Sequence, residues 1–257
     1  MIYALLASLL IVAVFLWQDG LHECADGNRY TSMRPQPYPF HRRFCWWPKR
    51  LLQTTSLVCL IGLGVAMGSW KGAVLLLTLP GSWFIATHPT TVDAPAMLLA
   101  WCASLLMPTH PYIAVVLSCI SGVVHERGPV FAAIYAWHPL LLIGLVGVGW
   151  WRRAAKPDND MLVGRGFMHS LKASRPYNDF LDGHTTLVGL RGIIPLAAWF
   201  GVPLSAWAAL GVAFASRAVG TDFGRFVLWG APAVIANLPD VPVWMIAAHV
   251  LTFRRCI

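Results

Sequence analysis

The chain has 257 residues, of which 57% are hydrophobic and 12% are charged, and its mean hydropathy is +0.61. Soluble domains are about a quarter charged, so this composition argues against an ordinary soluble domain and indicates a membrane protein. The apolar runs are continuous rather than alternating, which favours helices over a β-barrel. The net charge of +8 suits contact with anionic lipid headgroups, and no nucleic-acid-binding module accompanies it.

We therefore predict an all-α fold, a polytopic transmembrane helical bundle of about 8–10 spans that forms a single domain over residues 1–257. In chain order, the apolar runs are Ile2 to Trp17, Leu51 to Met67, Gly72 to Ala86, Ala96 to Leu106, Ile113 to Val124, Val130 to Trp150, Leu187 to Phe200, Leu204 to Val219, Phe226 to Leu238 and Val241 to Phe253. Several runs are shorter than the roughly 18 residues of a full crossing, so some spans should be tilted, re-entrant or paired as half-helices.

Local signals refine three of these runs. The first lacks a basic start and a small-residue cleavage site, so it reads as a retained helix rather than a signal peptide. Pro80-Gly81 should kink or break the third run. The two prolines between Met107 and Tyr112 predict a turn after the fourth run.

Loop charges suggest a topology with the amino terminus in the cytoplasm. The polar loop 18–50 and the junctions 88–95 and 125–129 then lie outside, and the basic segment 151–185 lies inside, as the positive-inside rule expects. The first loop is itself basic, which argues against this orientation unless its arginines bind an anion on the outer side. Cys24 and Cys45 share that loop and could form a disulfide in an oxidising compartment.

Four short motifs carry most of the remaining information. In chain order they are Asp26-Gly27-Asn28-Arg29-Tyr30 with a later Phe40-His41-Arg42-Arg43-Phe44, Asp93-Ala94-Pro95, the run His125-Glu126-Arg127-Gly128-Pro129-Val130-Phe131-Ala132-Ala133, and Thr221-Asp222-Phe223-Gly224-Arg225 before Trp229 to Pro232. In this order, across most of the chain, they resemble the D-x-x-R-Y, acid-Pro, K/H-E-x-x-P-x-F-A-A and T-D-x-x-R pieces of GT-C glycosyltransferase-like membrane proteins of bacteria and phages.

The resemblance implies an enzyme of the bacterial inner membrane that transfers a sugar from a polyprenyl-phosphate donor to an acceptor on the outer face. Asp26, or Asp19, would be the general base that takes the proton of the acceptor hydroxyl. The donor phosphate would be held by Arg29, Arg42, Arg43 and Arg127, because guanidinium groups bind phosphate in a bidentate manner. The supporting residues would be Asp93, Glu126, Asp222 and Arg225. The chain is short for this class, whose members usually have more spans and often a soluble carboxyl-terminal domain.

Each motif also has a structural explanation. Asp26-Gly27 is a turn signal, and Asp93 before Ala94-Pro95 is a natural helix N-cap. Glu126 and Arg127 could form an ion pair at a kink, and the spacing of Asp222 and Arg225 suits a local helical pair.

Two functions from other classes stay open. Broken helices would suit a transporter or flippase-like carrier, although no inverted repeat is visible. A non-catalytic membrane subunit, bound to a membrane-protein partner, would explain the short chain. The sequence supports no cofactor beyond the lipid-linked sugar donor, and no spacing of His, Asp and Glu supports a divalent metal.

Overall fold

A computed structural model describes residues 1–22, 49–146, 148–149, 196–215 and 223–254. The described chain is all-helical, with turns but no β-strand within those ranges, in agreement with the predicted all-α class. Most of the predicted outer loop and the whole basic segment 151–185 fall outside the described residues, as do Cys24 and Cys45.

Ten α-helices and one short 3₁₀ helix have bounds within the described ranges. They are α1 (Ile2–Asp19), α2 (Lys49–Ala66), α3 (Trp70–Leu77), α4 (Pro80–Thr87), α5 (Asp93–Leu106), α6 (Pro111–Val124), α7 (Gly128–Ala136), the 3₁₀ helix Pro139–Ile143, α8 (Leu204–Ala215), α9 (Phe223–Ile235) and α10 (Val243–Arg254).

Prolines set several of these boundaries. The predicted break in the third apolar run is confirmed, because α3 ends at Leu77 and α4 begins at Pro80. The predicted turn before Tyr112 is also confirmed, since α6 begins at Pro111. Proline suits the first turn of a helix, where its missing N–H costs no intrahelical hydrogen bond.

The sixth run differs from the continuous span that its hydropathy predicts. The helix α7 ends at Ala136, and Trp137 follows in the left-handed conformation with a φ of 51°. The chain then re-forms as the 3₁₀ helix at Pro139. The physical reason is local: proline disfavours the helical conformation of the residue before it, so His138 is extended and the helix stops.

One described helix is both long and apolar enough to cross a membrane, namely α1. Only 22% of its apolar window is buried, so it is not the central core helix of a soluble fold, but a signal sequence would pass the same test. Its buried stripe is Ala4, Ser8, Val12 and Phe15. The larger apolar side chains Ile2, Leu6 and Leu10 are more than half exposed.

The chain divides into two compact units. The first unit contains Met1–Phe15, Gly64–Phe84 and Asp160–Ile257, and in it α8 packs against α9 while α3 packs against α9 and α10. The second unit contains Leu16–Leu63 and Ile85–Asn159, and its centre is α5 packed against α6 and α7, with the 3₁₀ helix against α6 and α7.

The helix α6 has an inverted distribution of side chains, in which the small ones are buried and the large apolar ones are exposed. Its buried stripe consists of small residues, namely Ala114, Ser118, Ser121 and Gly122, followed by Val124 at the helix end. Its exposed stripe consists of large apolar ones, namely Tyr112, Ile113, Val116, Ile120 and Val123. A soluble helix buries its large apolar side chains and exposes polar ones, whereas small residues at helix contacts are typical of packing within a bilayer.

Serine hydroxyls and a glycine bring these helices close together. Ser121 Oγ donates to Ala96 O at 2.7 Å, and Ser118 Oγ donates to Leu141 O at 2.8 Å. A Cβ added at Gly128 would meet the backbone and side chain of Ser121. The start of α7 therefore lies directly against the end of α6, with no room for a side chain between them.

Gly128→Ala should destabilise the second unit by about 1–3 kcal/mol, because the added methyl group overlaps side-chain and backbone atoms of Ser121. The measurement is denaturant or thermal unfolding of the purified protein in detergent. Gly211→Ala is the matched control, since nothing lies within 4 Å of a Cβ at Gly211 in α8. Alanine there should be neutral or stabilising by a few tenths of a kcal/mol. Equal midpoints for wild type and Gly128→Ala would contradict the close packing.

Candidate functional site

The second unit joins the end of α1 to the junction between α4 and α5. The chain after α1 donates from the His22 N–H to Thr87 O at 2.7 Å. The His22 ring lies 5.4 Å from the His88 ring, centroid to centroid. The junction continues through Thr90 and Thr91, both buried, to Asp93. The beginning of the predicted outer loop and the 88–95 junction therefore lie together.

Asp93 is a buried carboxylate at the start of a helix. It is the first residue of α5, and the residue before it, Val92, is the N-cap. The prediction that Asp93 is the N-cap is therefore wrong by one position, and Val92 makes no side-chain capping hydrogen bond. The side chain of Asp93 is 4% exposed. The first turn of a helix favours an anion by about 0.3–1 kcal/mol, which offsets only part of the cost of burying one.

His125 brings Asp93 and Glu126 together. Its Nε2 lies 3.9 Å from Asp93 Oδ1, and its Nδ1 lies 3.4 Å from Glu126 Oε2. The imidazole is 5% exposed and the Glu126 side chain is 24% exposed. One ring therefore separates a fully buried carboxylate from a partly exposed one.

Arg127 is anchored to the same ring through its backbone. Its N–H donates to His125 Nδ1 at 3.2 Å, and its carbonyl accepts from Phe131 N–H at 3.0 Å as α7 begins. Arg127 is the N-cap residue of α7 and is half-buried. The helix dipole by itself disfavours a cation at this end of a helix.

The predicted site residues fall into two groups. Asp93, Glu126 and Arg127 lie in the cluster around His125, and Asp19 is the last residue of α1, three positions before His22. The others, or their side chains, lie outside the described residues, and these are Asp26, Arg29, Arg42, Arg43, Asp222 and Arg225.

His125 is the central residue to which the sequence analysis gives no role, although it begins one of the four motifs. It is adjacent to Glu126 but far along the chain from Asp93, and no periodicity connects the two. The only sequence signal is its position between an apolar helix and an acid-arginine pair. The sequence likewise does not predict the contact between His22 and His88, because one follows α1 and the other follows α4.

A second polar feature lies in the first unit. Lys71 Nζ pairs with Asp240 Oδ1, beside a cavity of about 280 Å³ lined by Ser69, Leu75 and Ile235 among others. The Asp240 side chain is 87% exposed, so this pair is solvated and contributes at most about 1 kcal/mol to stability. Its lysine is already matched by a carboxylate, which leaves no net charge to bind a ligand.

Within the described ranges, no group of three or more His, Cys, Asp and Glu side chains is placed to hold a metal ion. The His125 cluster combines two carboxylates and an imidazole, which are groups that can exchange protons. No family model, curated protein or solved structure matches this chain.

Proposed function

We propose that this chain is a polytopic integral membrane protein that transfers a sugar from a polyprenyl-phosphate donor to an acceptor on the outer face of the membrane. The observation that carries the proposal is the convergence of Asp93 and Glu126 on His125. These acids come from two separate motifs of the glycosyltransferase-like pattern, and the helices α5 and α6, with the turn between them, separate the two acids in the chain.

The inverted burial of α6 supports the membrane part of the proposal. Large apolar side chains such as Val116 and Ile120 are 56% and 45% exposed, which is unfavourable in water but favourable among acyl chains. The 14 residues of α6 rise about 21 Å, less than the roughly 30 Å of the hydrocarbon core. A helix of this length suits the tilted, re-entrant or half-helix spans that the sequence predicts, with the turn 125–128 at the outer face.

Charge placement supports the transfer reaction. Glycosyl transfer needs a carboxylate to accept the proton of the attacking hydroxyl, and positive charge where the lipid phosphate leaves. In the proposed site Asp26 is the base, with Asp19 as the alternative, and the buried acids around His125 support it.

Arg127 is the phosphate-holding residue for which the geometry gives an argument. A phosphate bound between its guanidinium and the start of α7 would be attracted by both the side chain and the helix dipole. Arg29, Arg42 and Arg43 are proposed to bind the same donor from the first loop.

The test is donor-dependent glycosyl transfer by purified protein in lipid vesicles, using a panel of defined polyprenyl-phosphate hexoses. Wild-type protein should label an endogenous or added lipid acceptor from at least one donor, and Asp26→Asn should reduce the rate by about 100-fold or more. Full activity in Asp26→Asn would remove Asp26 as the base. No transfer from any donor by folded wild-type protein would contradict the proposal and favour the non-catalytic subunit.

A further inference from the structure

We propose that Glu126, His125 and Asp93 form a proton relay that connects the partly exposed edge of the second unit to its buried carboxylate. The relay goes beyond the proposed function and does not depend on it, because its ligand is the proton itself. It rests on the placement of both nitrogens of one buried imidazole, each facing a different carboxylate.

The hydrogen bond from Arg127 fixes the tautomer of His125. A backbone N–H can only donate, so His125 Nδ1, at 3.2 Å, must accept and carries no proton in the neutral ring. The single ring proton is then on Nε2, which faces Asp93 Oδ1 at 3.9 Å. The neutral ring is therefore oriented to give a proton to Asp93 and to receive one on the side of Glu126.

The transfer step balances within the three residues. Glu126, in its acid form, gives its O–H proton to Nδ1, and Nε2 releases its proton to the Asp93 carboxylate. Glu126 becomes a carboxylate, Asp93 becomes a neutral acid, and the ring ends neutral with its proton on Nδ1. The reverse transfer restores the starting state. Both contacts need to shorten by about 1 Å or less to reach hydrogen-bond length, as acid–base contacts commonly do in the reacting state.

The exposure of the three side chains gives the relay a direction. Glu126 is 24% exposed and can exchange protons with the surroundings, whereas His125 and Asp93 are 5% and 4% exposed. Burial raises the cost of a charge on a carboxylate, and protonation removes that charge. Through the relay, the charge of the Asp93 carboxylate would depend on the pH at the exposed edge of the second unit. Asp93, from α5, and Glu126, from the adjoining turn, are two of the ionisable side chains that face the ring.

The experiment is nitrogen NMR of full-length protein in lipid bilayers with labelled histidine, the His125 signals being assigned by their loss in His125→Gln. In wild type near neutral pH, the proton should be on Nε2 and Nδ1 should be bare. On acidification Nδ1 should become protonated, and the Arg127 amide should exchange faster because it loses its acceptor. A proton on Nδ1 at neutral pH would overturn the proposal from the wild type alone.

Two isosteric variants test the coupling. In Glu126→Gln and in Asp93→Asn, protonation of His125 Nδ1 should require a lower pH than in wild type, because each variant removes a carboxylate that stabilises the imidazolium. His138 is the matched internal control, since its Nδ1 also accepts a backbone N–H two residues on, from Leu140 at 3.3 Å, at an exposed position. Its protonation should be the same in all three proteins. Unchanged His125 behaviour in both variants would overturn the relay. No sugar donor is used, so a failure of the transferase proposal leaves this result intact.

Discussion

Val116→Asp should remove most of the membrane-integrated, folded protein, whereas Thr109→Asp should leave it at the wild-type level. Val116 is near the middle of α6 and is 56% exposed, surrounded on its face by Tyr112, Ile113 and Ile120. An aspartate at the centre of a membrane helix costs about 2.5–3.5 kcal/mol on insertion. In water, the same substitution at an exposed site would change stability by no more than about 0.5 kcal/mol.

Thr109 provides the matched control. It is exposed in the turn between α5 and α6, so it receives the same new charge in the same unit without entering the apolar face. The measurement is the fraction of protein that resists alkaline extraction from membranes, followed by the unfolding midpoint of the extracted protein in detergent. If Val116→Asp integrates and unfolds like wild type, the exposed face of α6 does not contact acyl chains, and the polytopic arrangement loses its main support.

Much of the secondary structure could be predicted because its signals are local. Pro80 and Pro111 begin helices where the sequence suggests breaks, and the apolar runs around them become α3, α4 and α6. Hydropathy could not locate the end of α7, because Trp137 and His138 lie within a run that remains apolar on both sides of them. Only the backbone effect of Pro139 on His138 explains that break.

The sequence indicates the acidic residues of the candidate site, but it does not indicate which residues contact each other there. Asp93 and Glu126 stand out because they are charged residues beside apolar runs. Their common neighbour is set by the register of α5 against α6, which depends on how small residues interlock. Ser121 binding to the carbonyl of Ala96 is one such contact, and it brings the end of α6 to the beginning of α5. A single sequence contains those residues but does not state which of them meet.

Asp93→Asn should lower the turnover of the proposed transfer reaction by about 100-fold, with little change in the KM for the donor. Asparagine keeps the shape of the side chain but cannot hold the negative charge or the proton that His125 is placed to exchange with it. A loss caused only by misfolding would lower the unfolding midpoint and the active fraction, while the KM and the pH profile of the remaining activity stay those of the wild type. A loss of acid–base function would instead change kcat and its pH profile, while the free energy of unfolding stays within about 0.5 kcal/mol of the wild-type value.

Asp240→Asn is the matched control for that experiment, because it makes the same chemical change at a solvated carboxylate in the first unit. It should leave turnover unchanged, since an exposed pair with Lys71 contributes at most about 1 kcal/mol to stability and lies outside the proposed site. Asp93→Glu should recover part of the lost turnover, as a carboxylate is restored with an altered reach. If Asp93→Asn turns over as fast as Asp240→Asn, the buried acid is structural, and the chemistry of the proposed enzyme must belong to the first loop alone.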